Sequence, residues 1–193
     1  MTGFSRHRRS GVVFATFSGF EADLLRSLAA QLVELLRNES AAEVETDPLE
    51  ALLDFSGPTT EPEDPVLARL FPTAYRDDGE SAADFRRFTE QGLRDGKADA
   101  ASLIIDTLEE AGLPPELSQD GLMIDVELDE GAALTWLRSF TDIRLALATR
   151  LGVEEGDEDY WLALPDDDPT AQAHDIYDWV GYLQETLVQS LGG

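Results

Sequence analysis

Cysteine is absent from this chain of 193 residues, so disulfides, thiolate metal sites and thiol redox chemistry are all excluded. Histidine occurs only as His7 and His174, too sparse and too far apart to suggest a zinc centre. Bases are few: 14 Lys and Arg, with Lys97 the lone lysine, stand against 40 Asp and Glu, for a formal net charge of -26. A field of that sign repels phosphate backbones, so nucleic acid is not the expected partner, and a basic protein suits it better. Long apolar runs are missing too. No stretch reaches the roughly 20 apolar residues of a membrane span, and the N-terminal MTGFSRHRRSGVVF has no apolar run leading to a cleavage site. A cytoplasmic protein with no membrane association is expected.

Signature motifs are equally scarce. There is no G-x-S-x-G, no dinucleotide fingerprint and no H-E-x-x-H. The run GLRDGKA is one residue too short for a phosphate loop, and Ala98 stands where magnesium requires Ser or Thr. Asp125, Glu127 and Asp129 alternate like the start of a calcium loop, but Gly131 comes one position late and Trp136 replaces the bidentate glutamate. No cofactor or metal is expected, no catalytic residue can be nominated, and a non-enzymatic protein is the expectation.

What is present is a helical core. A hydrophobic content of 42% over 193 residues suffices for one sizeable core, so 1–193 reads as a single domain. Its centre is the stretch Ala132 to Val153. On a helical projection Ala133, Trp136, Leu137, Phe140, Ile143, Leu147 and Leu151 share one broad face, and a helix this apolar is central. Arg144 falls within that face. A desolvated guanidinium is costly unless met by a carboxylate, so Arg144 is expected to pair with an Asp or Glu from another element. With Arg138, Asp142 and Arg150 it makes a candidate structural ion-pair network, Asp142 being placed on the polar side.

Two β-prone runs, Phe4 to His7 and Val12 to Phe17, flank Arg8, Arg9, Ser10 and Gly11 and predict a hairpin with a basic tip. Leu122, Ile124, Val126 and Leu128 alternate with polar neighbours, predicting a third strand. Two strands alone are marginal in water, so the third is expected to dock on the hairpin. Ser18 and Glu21 form a capping box for a helix to about Arg37, with Phe20, Leu24, Leu28, Leu32 and Leu35 inward. Asp47-Pro48 opens a helix through Phe55, and Asp64-Pro65 opens another that Pro72 stops. A long helix from about Ser81 to Glu110 carries a first stripe of Ala82, Phe85, Phe88, Gly92 and Leu93 and a second of Ala100, Leu103, Ile104, Thr107 and Leu108, with Asp95-Gly96 able to bend or split it. The acidic stretch around Tyr160 and Trp161 reads as a loop, and Ala173 to Leu191 as a last amphipathic helix. The fold class is α+β, mainly helical: a small three-stranded antiparallel sheet packed with five to seven helices.

Four blocks, PEDPVLARLFPTAYRDD, FRRFTE, TDIRLALATRLGV and YDWVGYLQETLV, are similar to an actinobacterial family catalogued as domain of unknown function two-thousand-and-seventeen. The resemblance runs over nearly the whole chain. It implies a small cytoplasmic protein of no established activity, sometimes labelled a regulator and often encoded beside the adaptor that delivers substrates to the Clp protease. It carries over no functional residues.

The resulting expectation is a non-enzymatic interaction or regulatory protein, linked by resemblance alone to Clp-type proteolysis, with an unidentified protein partner; a homodimer is compatible with it. Candidate interaction residues are Arg6, Arg8 and Arg9 at the hairpin and Tyr160 and Trp161 in the acidic stretch. The alternatives are a DNA-binding transcriptional regulator with a winged-helix-like unit, in which those arginines meet phosphate, and a metal-assisted hydrolase built on the acidic loops.

Overall fold

The computed structural model describes residues 3–41, 60–75, 77–116, 121–165 and 167–192. The helix expected from Asp47-Pro48 through Phe55 lies outside the described residues. Strands β1 (Ser5–Arg6), β2 (Val13–Ser18) and β3 (Met123–Leu128) form an antiparallel sheet in the order β1-β2-β3. Register follows side-chain alternation: Val13, Ala15 and Phe17 pair with Leu128, Val126 and Ile124, and all six are buried. The outward pair Thr16 and Asp125 is joined by a 2.7 Å hydrogen bond. The hairpin and the strand more than a hundred residues away meet as the alternation predicts.

Among the described residues six helices accompany the sheet: α1 (Gly19–Ala41), α2 (Pro65–Leu70), α3 (Gly79–Glu110), α4 (Glu130–Leu151), α5 (Glu158–Leu162) and α6 (Pro169–Leu191). Local chemistry sets their starts. The Ser18 amide and hydroxyl donate to Glu21 while the Glu21 amide donates back to Ser18, a reciprocal capping box. The Asp64 carboxylate accepts from the Val66 and Leu67 amides ahead of α2. Asp168 does the same for Thr170, and with Pro169 it starts α6 four residues before the apolar periodicity at Ala173. Helix α4 ends at Gly152, whose φ of 71° is the left-handed conformation glycine favours.

Helix α4 is the spine, packing against α1, α2, α3, α6 and β3. Phe4 fits edge-on against Phe17 and Trp136, with ring centroids 5.9 Å apart in each case, and Trp136 in turn meets Phe140 at 5.8 Å. The Phe4 amide donates to the Thr186 hydroxyl of α6 at 3.1 Å. A β-carbon on Gly3 would stand 2.6 Å from the Thr186 methyl, so only glycine lets the chain pass so close to α6.

Two expectations change, and the break that the sequence left open at Gly96 does not occur. Helix α1 is rotated from its expected face: Ala22, Leu25, Ala29, Leu32, Val33 and Leu36 are buried and Phe20 faces solvent. Helix α3 is continuous through Gly96 for 32 residues. The acidic stretch expected as a loop contains α5, because Trp161 is drawn into the fold and stacks on His174 of α6 at 4.3 Å.

Candidate interaction surface

The N-terminal half of α3 inverts the expected pattern. Its buried positions there are Arg86, Glu90 and Arg94, spaced four apart and therefore on one helix face. Arg86 Nη1 donates to Glu90 Oε2 at 2.6 Å and Arg86 Nη2 to the Phe71 carbonyl at 3.3 Å. Arg94 Nε and Nη2 both donate to Glu90 Oε1, at 2.9 and 2.6 Å, and the Arg94 guanidinium lies 5.0 Å from the centre of the Phe71 ring. Each Glu90 oxygen thus receives one guanidinium. The alternation of sign at i, i+4 and i+8 was readable in the sequence, but the inward face of this helix was assigned from its apolar residues.

With charged groups turned inward, the stripe expected to be core faces outward. Phe88 is 66% exposed and Leu93 50%, and Phe85 and Tyr75, in edge-on contact at 5.9 Å, are exposed beside them. Added side chains at Gly92 and Gly96 would meet only open space. A cleft of about 310 Å³ opens between this stripe and the end of α2, walled by Leu70, Phe71, Ala82, Phe85 and Leu93, with Arg86 and Glu90 contributing polar lining. The cleft and the exposed Phe85, Phe88 and Leu93 beside it are the candidate site.

The nominated ion-pair residues separate. Asp142, expected on the polar side, is buried on α4 and accepts from Lys97 Nζ of α3 at 2.6 Å. Arg150 donates to Asp64 at 2.8 Å, tying the end of α4 to the start of α2. Arg138 is exposed. Arg144 is half-buried against α6, and its described partners are neutral: Nη1 donates to Gln184 Oε1 and Nη2 to the Tyr177 hydroxyl, each at 3.0 Å. The carboxylate expected for it is replaced by these dipoles and by the Tyr177 ring, 4.7 Å from the guanidinium carbon. Its buried Nε finds no hydrogen-bond partner among the described residues, so the cation between the two helices is held by neutral groups and satisfied only in part.

The nominated interaction residues are also dispersed. Arg8 and Arg9 are exposed at the hairpin tip, while Arg6 is half-buried with its Nε donating to the Gly11 carbonyl at 3.1 Å. Tyr160 is 57% exposed but Trp161 only 8%. The Asp157 carboxyl beside them lies below its ordinary value because the Glu154 amide donates to it at 2.8 Å, outweighing desolvation. Among the described residues no three His, Asp or Glu side chains converge as a metal site would require, and no helix is long and apolar enough to cross a membrane.

Fold and surface describe a mainly helical α+β protein whose longest helix carries an unburied apolar face. The chain belongs to the family described as Domain of unknown function (DUF2017), whose model matches residues 1–191. It is similar to the oxidative stress regulator AosR of Mycobacterium tuberculosis and of Mycobacterium bovis, at 32% identity over 188 residues, covering 90% of this chain and 79% of each relative. A Mycobacterium leprae relative is 31% identical over 185 residues, covering 89% of this chain and 78% of its own. No solved structure matches the chain.

Proposed function

We propose that this chain is a non-enzymatic regulatory protein, one cytoplasmic domain over 1–193, that acts by binding another protein through the exposed face of α3. The observation that carries this reading is the solvent-facing series of Phe85, Phe88 and Leu93, large apolar side chains left exposed among the described residues. The names of its relatives direct the regulation toward oxidative stress. Cysteine oxidation, a common chemical entry to such responses, is closed to a chain without cysteine. Nothing observed carries a link to Clp-type proteolysis.

The test is a photo-crosslinking residue in place of Phe88, compared with one in place of exposed Glu109 on the same helix, in the source cell. One defined partner trapped from position 88 and not from 109, with an altered transcript response to peroxide when the gene is deleted, supports the reading. Equal trapping from both positions, or an unchanged response, sinks it.

The DNA-binding alternative retains one observation, the exposed Arg8 and Arg9 at the tip. Absence of retention on duplex DNA at low salt removes it.

A further inference from the structure

The charge around the α3 face selects among possible occupants. Asp77, Asp78, Glu80, Asp84, Asp95 and Asp99 are exposed along the helix and its lead-in. Among the described residues the bases interspersed with them are already engaged: Arg86 and Arg94 are buried on Glu90, Lys97 is paired with Asp142, and Arg87 with Asp84. Asp95 accepts only a neutral contact from Gln91 among the described residues, and the carboxylate of Asp78 caps the helix N-terminus. Among the described residues the exposed apolar side chains therefore have acidic neighbours, concentrated on the Phe88 side of the helix. A second copy of the chain would bring the same acids against them and add its own net charge of -26.

Resting on the reading above, we propose that the occupant is an amphipathic helix of another protein, apolar along one face and flanked by Lys or Arg. From Ala82 to Gly96 the face is about 21 Å long, or roughly four helical turns. The apolar face of the partner lies along Phe85, Phe88 and Leu93, and one large aliphatic side chain enters the cleft between Phe71 and Leu93. Its bases meet Asp95, Asp99 and Glu80.

Three synthetic peptides of about four turns test this on the full chain by fluorescence anisotropy. One has a leucine stripe flanked by lysines, one the same stripe flanked by glutamates, and one the lysine composition with the stripe scrambled. The lysine-flanked peptide is expected to bind at least about tenfold more tightly than either other. Phe88→Ser with Leu93→Ser removes that preference without lowering Tm, and Asp95→Lys with Asp99→Lys weakens the lysine-flanked peptide selectively. Equal binding of the scrambled lysine peptide means attraction by charge alone and overturns the proposal. Equal binding of the glutamate-flanked peptide overturns the basic partner while leaving the apolar face, and the interaction reading, in place. A dimer in sedimentation that the Phe88 and Leu93 variant dissolves assigns the face to a second copy and overturns the proposal as well. The in-cell crosslink from position 88 is independent of all three peptides, so its failure strikes the functional reading separately.

Discussion

Arg144 lies flat across Gly181: a β-carbon at residue 181 would stand 3.3 Å from the guanidinium carbon and from Nε. The missing side chain on α6 makes the slot in which the guanidinium reaches Tyr177 and Gln184, and Gln184 in turn donates to the Thr141 hydroxyl at 2.7 Å. Gly181→Ala sets a helix-propensity gain of about 1 kcal/mol against a contact that the arginine relieves by a small shift, so Tm is expected to change little. Gly181→Val fills the slot, displaces the guanidinium and costs about 1–3 kcal/mol in denaturant unfolding. In a double-mutant cycle the cost of Arg144→Ala then shrinks in the Gly181→Val background. Additive losses would mean that the two residues do not share this contact.

The buried Glu90 makes a second prediction. It is 2% exposed and each of its oxygens takes a guanidinium, so Glu90→Gln removes the carboxylate that Arg86 and Arg94 share. Breaking a buried ion pair from one side costs about 3–5 kcal/mol, whereas replacing the whole group with apolar residues is often neutral or stabilising. Urea unfolding is expected to show that large loss for Glu90→Gln and little or none for Arg86→Met, Glu90→Leu and Arg94→Met combined. A mild Glu90→Gln phenotype would show that the triad is less dry than its burial indicates.

The same triad explains where sequence reasoning stopped. Helix starts were legible wherever a cap residue announced itself, as at Ser18 with Glu21 and Asp64 with Pro65, because those signals are local. The strand pairing was legible because an alternating face must be buried and only one other alternating segment was available. The outward face of α3 was not, because apolar periodicity says that a face is amphipathic without saying which side meets the core. Phe85 and Phe88 lost the inward position to arginines that could be satisfied by Glu90 and Phe71, and Phe71 reaches them only through the tertiary fold. Asp142 was misplaced for the same reason: its partner Lys97 comes from another helix.

Asp64 does two jobs, capping α2 and holding Arg150, and acid separates them. Burial works to raise its carboxyl pKa, but the Arg150 hydrogen bond, the Val66 and Leu67 amides and the Arg150 charge outweigh it, leaving the group below the ordinary carboxylate value. A depressed folded pKa means that the stabilisation is complete above the unfolded value of about 4 and is lost as pH falls through the folded one. Asp64→Asn keeps a capping side chain and removes the charge. Its Tm deficit against the wild type is expected to be present at pH 7 and to close progressively below about pH 4. Asp64→Ala loses the cap too, adding about 1 kcal/mol at every pH. A deficit for Asp64→Asn that persists undiminished in acid would refute the electrostatic part of this account.

Phe88 and Phe140 provide the sharpest contrast between the two apolar faces. Phe140 is fully buried against Phe4 and Trp136, so Phe140→Ala removes aromatic contacts and leaves a cavity, at about 3–5 kcal/mol. Phe88 is mostly in solvent, with Arg87 lying 4.9 Å from its ring centre as its aromatic contact among the described residues. Phe88→Ser is therefore expected within about 0.5 kcal/mol of wild type in urea unfolding. It should also lower binding of an apolar-surface dye, because a face rich in exposed aromatic area attracts such probes. If Phe88→Ser instead destabilises the chain as strongly as Phe140→Ala, the α3 stripe belongs to the core, and the interaction surface argued for it does not exist.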